Sequence, residues 1–236
     1  MILVLFDIDN TLISTDGAGI CAFRRAMHEV FGMQIDPMVI RPDGKTDPLI
    51  LKEFLQHCNS MDQWSQISEK KLFIKYLEFL EDEMILAQKT NRIRILSGVS
   101  MLLDTLSAPS GFAVGLATGN LEAGARIKLE KAGLYKYFPF GGFGSDSENR
   151  TELIRIGIRR GEQAVSPASV EGVYVVGDTP FDVIHGRAAG AAVIAVASGR
   201  YSVEELRNCK PDLVVQDLTS TEHIVGFMRK ATGYPC

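Results

Sequence analysis

The sequence predicts an α/β fold, a three-layer sandwich around a parallel sheet, with a helical unit inserted into it. Three observations carry this reading. Short apolar runs ending in Gly, Asp or Thr recur along the chain, helical patterns separate them, and the stretch from about residue 15 to 91 is helical in pattern throughout. Strand and helix in alternation form βαβ units, whose strands are parallel and whose helices cover the sheet.

The first run, Met1 to Phe6, has the branched apolar content of a strand buried on both faces. It delivers Asp7-Ile8-Asp9-Asn10-Thr11. In an extended chain Asp7 and Asp9 share a face and Ile8 points the other way. Two adjacent carboxylates need a cation or a shared proton, and their oxygens favour a hard ion such as Mg²⁺. Taken alone, the segment also reads as a simple turn after a strand.

The helical stretch follows. Ile20, Phe23, Met27, Val30 and Phe31 recur at helical spacing, as do Leu51, Phe54 and Leu55, then Leu72, Phe73, Tyr76, Leu77 and Leu80. Pro48, after Thr46-Asp47, marks a helix start. An insert of this length is too long for a loop. It is expected to be a separate helical cap over residues 15–91, with its apolar stripes forming its own core. Hinges fall near Ser14 to Gly19 and Lys89 to Leu96, and residues 1–14 and 92–236 form the α/β core. Gly17 and Gly19 read as hinge residues, because Gly-x-Gly here is too weak a pattern for a dinucleotide.

The second core run, Phe112 to Ala117, ends in Thr118-Gly119-Asn120. Gly119 lets backbone N–H groups approach an anion at the positive end of the next helix. Thr118 and Asn120 can donate to phosphate oxygens, and Asn120 reads equally as a helix cap. That helix, Leu121 to Ala132, stops at Gly133. A strand near Phe138 to Phe143 is weakened by Pro139 and the glycines, and a helix over Glu148 to Arg160 carries Leu153, Ile154 and Ile158 on one face. Val173 to Val176 leads into Gly177-Asp178-Thr179-Pro180-Phe181-Asp182. Asp178 thus ends another core strand, and Asp182 lies in the first turn of the helix opened by Pro180, where it also suits the helix dipole. Ala192 to Val196 and Leu213 to Val215 complete the sheet.

Composition narrows the class of function. The chain has 236 residues, 46% hydrophobic and 23% charged, with a net charge of -4. These values support a real core and give no electrostatic case for nucleic acid or an anionic membrane. Cys21, Cys58, Cys209 and Cys236 show no metal-ligand spacing, so reduced thiols and a cytoplasmic setting are expected. The six residues before Asp7 are too few for a signal peptide, and no stretch approaches ~20 apolar residues. His28, His57, His185 and His223 are scattered and receive no catalytic role.

In order and strand context, Asp7 and Asp9, Thr118, and Gly177-Asp178 with Asp182 resemble the signatures of the haloacid dehalogenase-like (HAD) hydrolases. The resemblance covers essentially the whole chain and points to the phosphoglycolate phosphatase-like and β-phosphoglucomutase-like branch with a helical cap on a Rossmann-like core. It implies a Mg²⁺-dependent phosphatase that hydrolyses a small phosphorylated metabolite through an aspartyl-phosphate. By that resemblance Asp7 is the nucleophile, and Asp9 is general acid and then general base. Asp7, the Asp9 carbonyl and Asp178 hold Mg²⁺, with Asp182 in or near the outer shell. Thr118, Gly119, Asn120 and Arg150 take the phosphate.

Arg150 marks a departure, since the family usually places a lysine there and Ser145 to Glu152 contains none. Its other reading is a surface arginine paired with Asp146 or Glu152. Lys128 and Lys131 are rivals, but beside Glu130 they read as a solvated helix face. Gly44-Lys45-Thr46-Asp47 resembles the cap loop that reaches the active site, making Lys45 and Thr46 candidates for substrate contact; a capping turn is an equal reading. An acid at position 9 fits release of an alcohol and disfavours C–halogen and C–P hydrolysis. Two alternatives are a phosphomutase of the β-phosphoglucomutase type and a silent binding module, the latter disfavoured by intact Asp7, Asp9 and Asp178. The substrate and the oligomeric state are not legible.

Overall fold

The computed structural model describes residues 1–34, 36, 41–57, 65–108 and 111–231. In chain order these form β1 (Ile2–Phe6), β2 (Ile13–Ser14), α1 (Ala18–Phe31), α2 (Asp47–His57), α3 (Gln66–Lys89), β3 (Arg94–Ile95) and α4 (Val99–Ser107). Then come β4 (Phe112–Thr118), α5 (Glu122–Lys131), β5 (Gly141–Phe143), α6 (Arg150–Val165), β6 (Gly172–Gly177), α7 (Pro180–Ala188), β7 (Ala192–Val196), α8 (Val203–Asn208), β8 (Leu213–Val215) and α9 (Thr221–Ala231).

Six strands make one sheet in the order β5-β4-β1-β6-β7-β8, with every neighbouring pair parallel. All five residues of β1 are buried, as its central place demands. Its side chains alternate between two apolar layers. Val4 and Phe6 pack with α4, α5 and α9, including Leu102, Leu129 and Met228. Leu5 packs on the opposite face with Leu153 and Ile154 of α6 and Val183 of α7. Each such fully buried side chain contributes roughly 1.5–3 kcal/mol, and the three-layer sandwich follows from burying both faces.

The weak strand signal near residue 140 resolves into β5, a three-residue edge strand that begins after Pro139. Its glycines have a packing reason: a Cβ on Gly142 would lie 1.8 Å from the Leu153 carbonyl oxygen. Helix α6 therefore runs directly against the backbone of β5. It starts at Arg150, two residues later than the pattern indicated, because the Asn149 side chain accepts the Thr151 and Glu152 N–H groups.

Helices α1, α2 and α3 pack around a second apolar cluster, containing Phe23, Met27, Leu51, Phe54, Leu72, Tyr76 and Leu80, which Leu121 and Ile127 at α5 also join. Phe23 stacks on Phe54 at 5.7 Å and meets Tyr76 edge-on at 5.5 Å. Gly32 ends α1 in the left-handed region, and a Ser65–Ser68 capping box starts α3. The chain leaves and re-enters the sheet region through a small antiparallel ribbon pairing Ile13 with Ile95 and Ser14 with Arg94. Cys21 and Cys209 are free thiols; Cys58 and Cys236 lie outside the described residues. Among the described residues no helix is long and apolar enough to cross a membrane.

Candidate active site

β4, β1 and β6 are adjacent and parallel, so their carboxyl ends reach one edge together. Open parallel sheets bind ligands at that edge. It delivers Asp7, Thr118-Gly119-Asn120 and Asp178 to a cavity of about 400 Å³, closed on its other side by residues of α1, α2 and α3. Asp7, Asp9, Thr118, Gly119, Asn120, Lys45 and Asp178 all line it.

Two charge clusters divide the floor. In the first, Asp7, Asp178 and Asp182 are buried, and each offers an oxygen within 4.8 Å of the others. Burial pushes Asp7 up to about 7; the Arg150 guanidinium opposes that rise, and Asp182 and Asp9 add to it. Burial, then Asp182 and Asp7, push Asp178 up to about 8, although the Thr11 hydroxyl donates to it at 3.1 Å. These carboxylates carry more negative charge than Arg150 alone offsets. Hard oxygen donors of that kind fit Mg²⁺, which takes one or two carboxylates and keeps several waters.

Arg150 is buried, not superficial. It donates to Asp182 at 2.5 Å and lies 3.4 Å from Asp7, while Asp146 pairs with Arg160 instead. It lies behind the carboxylates, away from the cavity lining. Its Nε is the one buried side-chain polar atom without a partner among the described residues. The other Asp182 oxygen accepts from the Thr179 N–H and hydroxyl, closing a capping box at the start of α7. Both the dipole reading and the acid-cluster reading of Asp182 thus describe the same side chain.

The second cluster corrects two readings of the sequence. Lys128 is buried, not on a solvated face: its ammonium donates to both Asp9 oxygens, at 2.8 and 2.6 Å, and to the Asn120 amide oxygen at 2.6 Å. The signal was its place on the inward stripe of α5 with Ala125 and Leu129. Lys131 points elsewhere and pairs with Glu81. Asn120 does not cap α5. Its amide nitrogen donates to Asp9 and to the Thr118 hydroxyl, both at 2.8 Å. The Asp9 carboxylate is therefore turned to Lys128 and stands apart from the Asp7–Asp178–Asp182 cluster. Burial raises its pKa, but the Lys128 charge and the hydrogen bonds from Lys128 and Asn120 outweigh this and hold it below the ordinary carboxylate range.

The loop before α2 docks on the second strand tip. The Asp47 N–H donates to the Gly119 carbonyl at 2.8 Å, and the Asp47 carboxylate accepts the Leu121 N–H at 2.8 Å. Asp47 thereby caps α5 from a distant part of the chain. A Cβ on Gly119 would stand 2.0 Å from the Lys45 carbonyl oxygen, so only glycine permits this approach. Thr46 is buried; its hydroxyl donates to the Glu148 carbonyl and accepts the Leu49 N–H, which is the capping turn. Lys45 reaches the cavity with its ammonium paired to Glu53 at 2.5 Å. Thr11 and Asp47 lie inside segments the sequence singled out but received no role there, and Tyr76 read only as part of an apolar stripe, since nothing local marks it as a neighbour of the strand tips.

The comparisons with known proteins agree with this architecture. The sequence profile of the family described as haloacid dehalogenase-like hydrolase matches residues 4–196. A Dickeya dadantii protein named "Probable phosphatase IndB" is 24% identical, over 99% of this chain and 97% of its own length. Among solved structures, a β-phosphoglucomutase from Clostridium difficile shares the fold with a TM-score of 0.72 at 19% identity, covering 98% of this chain and 99% of its own. A hydrolase from Pseudomonas syringae does so with a TM-score of 0.70 at 18% identity, covering 96% and 98%. The profile match spans most of the sequence, and the chain belongs to the haloacid dehalogenase-like hydrolases.

Proposed function

We propose that this protein is a Mg²⁺-dependent phosphatase that hydrolyses a small-molecule phosphomonoester through a covalent intermediate on Asp7. The observation that carries this reading is the juxtaposition of a buried, under-neutralised acid cluster with a separately held carboxylate, Asp9, in one small cavity. Asp7 and Asp178 would hold the cation, with Asp182 behind them. When bound, Mg²⁺ supplies positive charge for the carboxylates and a phosphate oxygen.

The chain's own residues then divide the work. A carboxylate oxygen of Asp7 attacks phosphorus, and the bond to the leaving oxygen breaks. Asp9 gives that oxygen its proton, then takes one from the water that attacks phosphorus, releasing phosphate and restoring Asp7. Lys128 and Asn120 orient Asp9; an arriving phosphate dianion raises its proton affinity against the pull of Lys128. Thr118 and the backbone at Gly119 and Asn120 line the part of the cavity that would take the phosphate, the Asn120 amide being committed to Asp9 and the Thr118 hydroxyl, and Arg150 holds Asp7 and Asp182 in place. Helices α1–α3 act as the cap, which limits access to small substrates and excludes water during transfer.

The test is phosphate release from a panel of small phosphate esters with and without Mg²⁺. Asp7→Asn is expected to lower kcat by more than about a thousandfold with an unchanged circular dichroism spectrum. Retention of a tenth of the activity would refute the nucleophile. Stoichiometric free phosphate distinguishes a phosphatase from a mutase, which returns the group to a sugar.

A further inference from the structure

The cavity contains more than the phosphate chemistry uses. Six aspartates line it, Asp7, Asp9, Asp16, Asp43, Asp47 and Asp178, against two lysines and no arginine. Neither lysine is at liberty. Lys128 spends its donors on Asp9 and Asn120, and Lys45 is paired with Glu53. An anionic tail on the substrate would find no uncommitted cation among the described residues of this wall, and several carboxylates to repel it.

Two largely buried residues open polar atoms onto the same cavity without a protein partner for them. One Asp47 oxygen accepts the Leu121 N–H, whereas no described residue donates to the other, and Asp47 is only 8% exposed. The Tyr76 side chain, on a residue 2% exposed, likewise turns its hydroxyl to the cavity with no described residue hydrogen-bonded to it. Both residues line the cavity. They are close enough that the Asp47 charge pushes the Tyr76 phenol pKa up, after burial. A point beside Gly19 lies 3.4 Å from the Lys128 ammonium and 4.0 Å from the Tyr76 hydroxyl, so Tyr76 stands over the same glycine as the lysine that holds Asp9. Phe23 and Ile50 supply an apolar wall. A carboxylate oxygen and a phenol on buried residues of one cavity wall recognise a donor and penalise its absence.

We propose that Asp47 and Tyr76 form a leaving-group subsite for an alcohol that carries a second hydrogen-bond donor, a hydroxyl or an ammonium, and no second anion. This rests on the phosphatase reading and adds the substrate class to it. The tail donates to Asp47 and exchanges a hydrogen bond with the Tyr76 hydroxyl, while its carbon skeleton lies on Phe23 and Ile50.

The experiment measures kcat/KM of the Mg²⁺-supplemented full chain on glycerol 1-phosphate, phosphoethanolamine, ethyl phosphate and phosphoglycolate. At least one of the two donor-bearing esters is expected to exceed both ethyl phosphate and phosphoglycolate by about tenfold or more, the range of a hydrogen bond to a charged or buried group. Which of the two leads tells a hydroxyl tail from an ammonium tail. Tyr76→Phe should cut the ratio of donor-bearing ester to ethyl phosphate by about fivefold or more, and Asp47→Asn should cut the phosphoethanolamine ratio further than the glycerol one. A general loss of structure would lower all four substrates together and leave those ratios alone. Preference for phosphoglycolate, or unchanged ratios in folded Tyr76→Phe, overturns the subsite and leaves the phosphatase standing. No phosphate release from any ester overturns both.

Discussion

Withdrawing divalent ions should make the stability of this protein fall with rising pH, and restoring Mg²⁺ should remove most of that slope. In the ion-free protein Asp7 titrates at about 7 and Asp178 at about 8, against an ordinary 3.8. Both folded values are raised, so the stability they contribute is complete below about pH 4 and is lost as pH climbs through 7 and 8. Between pH 5 and 8 each group still protonated in the fold costs about 1.4 kcal/mol per pH unit. Asp178 spans about three such units and Asp7 about two, and because the two interact, the combined loss is on the order of 5 kcal/mol. For a chain of this size that is a Tm decrease of roughly 10–15 °C. The assay is thermal unfolding from pH 5 to 8 in chelator and in excess Mg²⁺, with Asp178→Asn as control. The variant should unfold at a higher temperature than the parent in chelator at pH 8, and lose most of its response to Mg²⁺. Equal slopes with and without the ion, or a Tm that rises with pH in chelator, would refute the reasoning.

Other perturbations give sharper local readings. Lys128→Met strips Asp9 of its cation; with Asp9 partly open to the cavity, the expected cost is about 2 kcal/mol in urea unfolding, and the acid limb of the kcat profile should move to higher pH because Lys128 holds that pKa down. Gly119→Ala drives a methyl into the Lys45 carbonyl and should raise KM by about tenfold or more through loss of the Asp47–Gly119 hydrogen bond. Phe54→Ala removes a ring stacked on Phe23 and should cost about 3–5 kcal/mol. If α1–α3 open as a separate unit, its hydrogen exchange should accelerate in those helices and not in β1, β4 or β6.

The order of elements, the parallel sheet, the helical insertion and the aspartates at the strand tips were all present in the linear pattern. Each is a local property: apolar periodicity, turn residues after a strand, a proline at a helix start. Asp7 and Asp178 stood out because a buried strand ending in acid is costly without a partner. Lys128, Asp47 and Tyr76 are different. By themselves they read as a surface lysine, a capping residue and a core aromatic. They acquire their roles only when α5 turns Lys128 inward, the loop before α2 reaches Gly119, and α3 lays Tyr76 beside Gly19. The sequence alone thus determined the fold and the acidic edge, because strand burial and side-chain alternation act within a few residues. Tertiary structure decided how the charges pair, setting Arg150 with Asp7 and Asp182, and Lys128 with Asp9. Coulomb energies depend on distances in space and on burial, and neither quantity is written in the spacing of residues along a chain.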